Sequence, residues 1–161
     1  MREYIVFALV LLCPLPVLPQ APPSGWQAVK DAKSVCQITV PPEWTLFGDN
    51  DGAAVLQDAG TAIAVVTSQP GQEFKPLTPG MLKMLGIPKD KLFENSGKRL
   101  FYQDKTSGRA DDSNAFSSSV PAGSGTCSCH VVALPSVSPD VAKKIALSLS
   151  GVAEKPPGGT R

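Results

Sequence analysis

A chain of 161 residues has room for one domain, and its 42% hydrophobic content is that of a globular protein. The net charge of +1, with no Lys/Arg cluster interleaved with aromatics, leaves no field to steer nucleic acid and excludes that class of partner. Sixteen prolines and fourteen glycines imply short elements separated by many turns.

Met1 to Tyr4 is a short polar start carrying Arg2, and Ile5 to Cys13 is continuously apolar. Such a run falls far short of the roughly 20 residues that span a bilayer, but it suits the core of a signal peptide. Residues 1–21 are therefore expected to be an export signal, delivering the chain to a periplasm or the medium with no integral membrane segment once removed. The cleavage point stays open, because Ala21 suits a signal peptidase while Pro22 follows at once. A lipid anchor through Cys13 is the weaker reading, since Leu12 stands where such a site needs a small residue. Residues 22–33 read as a linker, with Trp26 laid onto the domain.

From Ser34 the pattern becomes regular. Cys36, Ile38 and Val40 fall on one side of an extended chain, and Val35, Gln37 and Thr39 on the other. Pro41-Pro42 ends this strand because neither proline can donate a ladder hydrogen bond, and Trp44 supplies an anchor past the corner. Asp49 to Gly52 reads as a turn. Ala53–Asp58 and Thr61–Ser68 read as a hairpin around Ala59-Gly60. The second strand is apolar on both faces, so Ile63 and Val65 are expected buried on one side of a sheet and Ala64 and Val66 on the other. Thr78-Pro79 opens a helix whose apolar face is Met81, Leu82 and Leu85, ended by Gly86. A further turn runs through Leu92 and Phe93. Lys98–Asp104 resumes as a strand, Ser107–Asp112 is a polar loop, and Ser113–Val120 is a weak serine-rich strand. Thr126–Leu134 is a strong one. Ser138-Pro139-Asp140 unites N-cap, first-turn proline and first-turn acid, and Val141, Ile145, Leu149 and Val152 follow at helical spacing. Residues 153–161 read as a disordered Pro/Gly tail.

Cys127-Ser128-Cys129-His130 is the stretch that most resembles a chemical site. Two thiolates and an imidazole suit copper or zinc, but on a strand the cysteines share one face and His130 points to the other. The preferred bond joins Cys36 to Cys129 or to Cys127 as neighbouring strands, with buried free thiols or a metal set of Cys36, Cys127 and Cys129 as alternatives. Adjacent strand residues cannot face each other, so a Cys129–His130 nucleophile pair fails too. Asp49, Asp51, Gly52 and Asp58 imitate part of a calcium loop, but their flanks are strands and a plain turn is the better reading. Met81 and Met84 could form a soft binding patch; helix core is the ordinary explanation.

The order of strand, Val40-Pro41-Pro42-Glu43-Trp44 corner, hairpin, helix, strands and closing Val141–Leu149 helix resembles the small exported bacterial proteins with a PsbP-like fold. That fold is shared by an extrinsic photosystem II subunit and a Ran-binding transport factor. The resemblance covers about residues 34–150. It implies a single α+β domain, taken as residues 34–152, with an antiparallel sheet covered by helices. It also implies a non-catalytic role in binding or assembly, with an unidentified protein or small molecule as partner and no cofactor. No motif matches the photosystem subunit's metal-linked role, and no functional residue carries over. The alternative function is a periplasmic soft-metal or thiol redox protein using Cys36, Cys127 and Cys129.

Overall fold

Asn114–Ala122 and Gly125–Ala133 form the hairpin about which the other elements are arranged. The computed structural model describes residues 24–50, 53–104 and 114–152. In it the hairpin turns Phe116, Ser118 and Val120 inward from one strand and Cys127, Cys129, Val131 and Ala133 from the other. Its tight turn carries Gly123 at φ 54°, the left-handed value that two-residue hairpin turns require.

In chain order the strands are β1 (Gln27–Lys30), β2 (Cys36–Val40), β3 (Thr45–Asn50), β4 (Ala53–Asp58) and β5 (Ala62–Gln69). After α1 (Pro79–Met84) come β6 (Leu92–Asn95), β7 (Leu100–Asp104), β8 (Asn114–Ala122) and β9 (Gly125–Ala133). The chain then enters α2 (Pro139–Leu147) and ends its described part with β10 (Ser150–Gly151). A larger sheet of seven antiparallel strands runs β3-β4-β5-β9-β8-β7-β6, and a smaller one runs β1-β2-β10. The molecule is thus α+β in character but mostly strand.

The smaller sheet and α2 both lie on one face of the larger sheet, and the core fills the space between them. Ile38, Val40, Trp44, Leu56, Val66, Val131, Ile145 and Leu149 are all buried there. Each such side chain contributes roughly 1.5–3 kcal/mol on leaving water. Some polar groups drawn inside are bonded: the Asp31 Oδ1 carboxylate oxygen accepts from the amides of Val35 and Cys36, both at 2.8 Å, while Asp31 Oδ2 and the Thr39 hydroxyl are buried without a partner among the described residues. The Thr126 hydroxyl donates to the Gln72 carbonyl at 2.7 Å. Ser138 caps α2 and Pro139 opens it, as their residue types dictate.

Five expectations are corrected. Residues 22–33 are not all linker, because Gln27–Lys30 pairs with β2 and Trp26 and Val29 pack against the core. The Gln27 side chain also donates to the Trp44 carbonyl at 2.7 Å, which ties this short strand down. Helices do not cover the sheet as expected: the cover is one helix and a second sheet. With six residues, α1 is too short to lay a face on the sheet, and it buries no residue. Ile63 stays 44% exposed, so β5 is dry on one face only, since both covering elements occupy the same side. The strands bearing Cys36 and Cys127 are not ladder neighbours, because β1 and β10 already occupy both edges of β2. Thr45–Asn50 and Leu92–Asn95 are strands where a corner and a helical turn were expected.

The expected export signal (1–21), Asp51-Gly52 of the turn, the loop Ser107–Asp112 and the tail from residue 153 lie outside the described residues. Among the described residues no helix is long and apolar enough to cross a membrane.

Candidate functional site

The outer face of the larger sheet is made by the residues that β5, β9, β8 and β7 turn away from the core. Register places Tyr102, Ser117, His130 and Val65 side by side in one row, and Ser119, Ser128 and Thr67 in the next. A cavity of about 200 Å³ lies between the two rows. Ser117 Oγ and His130 Nδ1 are 2.8 Å apart, and Ser119 Oγ and Ser128 Oγ are 3.0 Å apart. Both pairs are direct cross-strand partners, so the β8–β9 ladder itself sets their spacing. Asp104, at the end of β7, brings Oδ2 to 4.0 Å from the same His130 nitrogen. Among the described residues, no lysine, arginine or carboxylate lines the cavity.

Ser117, His130 and Asp104 hold the residue types of a hydrolytic triad, but not its arrangement. A relay needs the acid on one imidazole nitrogen and the nucleophile on the other. Here both approach Nδ1. Ser117 also sits mid-strand with ladder partners on both sides, so the sheet occupies the amides that an oxyanion hole would use. The arrangement offers hydrogen bonds rather than a reaction path.

The inner face holds the cysteines. Cys36 and Cys127 form a disulfide between the two sheets, with Cα atoms 5.6 Å apart. Of the two partners considered for Cys36, the structure uses Cys127. Cys129 remains a buried thiol, pushed up to about 12 by burial, which the nearby Arg99 charge opposes only in part. A thiol so raised is neither a nucleophile nor a ready ligand at neutral pH. The soft-metal set is thus divided, two sulfurs bonded to each other and the third protonated. Arg99 is itself half-buried, and desolvation lowers its pKa while Glu94 partly opposes this. It donates to Ser118 Oγ at 2.9 Å and to the Leu149 carbonyl at 3.1 Å, satisfying an acceptor just past the end of α2.

His130 lies on the opposite face from Cys127 and Cys129, as strand alternation requires. Among the described residues no three or more His, Cys, Asp and Glu side chains are grouped to hold a metal ion. Of the imitation calcium loop, Asp58 sits in the β4–β5 turn and accepts from the Thr61 hydroxyl at 3.2 Å, while Asp51 and Gly52 lie outside the described residues. Met81 and Met84 are 43% and 76% exposed, which corrects their assignment to a helix core. The residues that sequence reasoning missed are Tyr102, Asp104, Ser117, Ser119 and Thr67. The serines stand in a consecutive run, Ser117–Ser119, in a weak serine-rich strand, and nothing local tells that β9 is their neighbour.

No protein-family model and no curated protein matches the chain. Among solved structures, a protein from Bacteroides thetaiotaomicron VPI-5482 is similar in fold, with a TM-score of 0.54 at 14% identity. The likeness covers 81% of this chain and 50% of that one, so the chain spans about half the length of this neighbour. At that identity the likeness speaks for the fold alone.

Proposed function

We propose that this chain is an exported, non-catalytic binding or assembly protein of PsbP-like type that takes its ligand on the outer face of the larger sheet. The observation that carries this reading is the cavity between the two polar rows, which no described element covers. Its walls are hydrogen-bonding groups on rigid central strands, the kind of scaffold that holds a site in place. Export is supported by the Cys36–Cys127 disulfide, a bond that persists in oxidising compartments, together with the apolar leader. The PsbP-like reading is supported by the burial of Trp44 just after the Pro-Pro corner, and by that of Ile145 and Leu149 from the closing helix region.

A thermal-shift screen across neutral, anionic, cationic and aromatic small molecules tests the binding reading. Binding to the native state raises Tm in proportion to ligand excess over Kd. Val65→Arg fills the cavity without entering the core, because Val65 faces outward. At least one compound class is expected to raise Tm for the natural protein and to lose that effect in Val65→Arg. Equal shifts in both proteins, or none in either, would remove the outer face as a binding site.

A further inference from the structure

We propose that the outer-face cavity takes a neutral polyhydroxylated ligand, a single sugar residue, whether a free sugar or the end of a glycan; this rests on the binding reading above and names its ligand class. The chemistry lies in what the two hydrogen-bonded pairs leave over. If the Ser117 hydroxyl donates to His130 Nδ1, the Nε2–H is left as a donor and Ser117 Oγ keeps acceptor capacity. If Nδ1 carries the proton, it donates to Ser117 Oγ, Nε2 becomes an acceptor and the Ser117 O–H is free to donate. Either tautomer presents one donor and one acceptor. The Ser119–Ser128 pair does the same, because one hydroxyl proton serves the pair and the other is unused. Thr67 and Tyr102 add two more hydroxyls, and each of these both donates and accepts.

A ligand matched to that lining must also donate and accept at successive positions, which is the property of a sugar's hydroxyl groups. A carboxylate or phosphate ligand only accepts and calls for a cation, and among the described residues neither Lys nor Arg lines the cavity. An ammonium ligand calls for carboxylates, and among the described residues none lines the cavity, Asp104 lying beside His130. Size agrees: the cavity of about 200 Å³ lies below the roughly 300–1,000 Å³ of pockets for drug-sized ligands. Tyr102 and Val65 close the first row with apolar surface against which the C–H face of a sugar ring can rest.

The test is amide chemical-shift mapping of the oxidised protein, titrated separately with glucose, galactose, N-acetylglucosamine, inorganic phosphate, acetate and indole. At least one sugar is expected to move the amides of residues 65, 67, 102, 117, 119, 128 and 130. Ser117→Ala and Tyr102→Ala should each weaken that sugar about five-fold or more, while Asp140→Asn on the distant helix α2 should leave its affinity unchanged. If phosphate, acetate or indole moves those amides and no sugar does, the ligand class is overturned and the binding site stands. If no probe moves them, both the class and the site fall. Sugar-induced shifts with unaltered affinity in both variants would overturn the contacts named here.

Discussion

Cys129 lies on β9 between Val66 of β5 and Ser118 of β8, with its side chain turned into the core. Burial holds its thiol protonated up to about pH 12, while in the unfolded chain it ionises near its ordinary 9.0. The folded pKa is therefore the higher one. Above the unfolded value the unfolded state binds fewer protons than the native state, so stability falls as pH rises from about 9 to about 12. Below that window this residue adds no pH dependence. Urea midpoints measured from pH 7 to 11 should decline for the natural protein, and Cys129→Ala should decline less. At pH 8 a thiol reagent should label Cys129 only as fast as the protein opens. Parallel curves for the two proteins would mean that the thiol is not desolvated.

The β8–β9 hairpin owes its position to Gly125. A Cβ there would stand 2.6 Å from the Gln69 carbonyl oxygen and 3.0 Å from Pro70 Cα, both backbone atoms of the segment leaving β5. Gly125→Ala is expected to lower stability by about 1–3 kcal/mol, because strands and not side chains must shift. Gly97→Ala, where a Cβ meets nothing within 4 Å, should change it by less than about 0.5 kcal/mol. Chemical denaturation of the two variants decides this, and equal effects would contradict the close approach. Elements such as this hairpin and α2 were legible because their signals are local: alternation, a proline stop, a capped first turn. The inward faces of Cys36, Ile38 and Val40 could be read the same way. What stayed hidden depends on neighbours. Nothing within Thr61–Ser68 tells that both covering layers lie on one side, leaving Ile63 exposed. Nothing within Gln27–Lys30 shows that β2 lacks a partner until the small sheet is assembled. The candidate site was hidden for the same reason, since Ser117 and His130 meet only once β8 and β9 pair.

Across the whole molecule, the Cys36–Cys127 bond is the covalent tie between the two sheets, with a sequence separation of 91. A loop of that length restricts the unfolded chain by up to about 4.5 kcal/mol in the chain-entropy account. A Cys36→Ala/Cys127→Ala double variant should lose stability of that order or less in urea, and a loss near zero would mean that the two sheets hold without the bond. The same bond decides which parts of the chain can bear load. Held at residues 26 and 152 and pulled, the chain passes tension from sulfur to sulfur, and roughly 300 Å of contour between the two cysteines stays slack. Strands β3 to β8, with β2 beyond Cys36, lie within that sheltered loop, while β1, β9 from Cys127 onward, α2 and β10 carry the force. Val65, Thr67, Tyr102, Ser117 and Ser119 are sheltered; Ser128 and His130 are not. Tension therefore enters the candidate site along both edges of β9, where His130 meets Ser117 and Val65, and Ser128 meets Ser119 and Thr67.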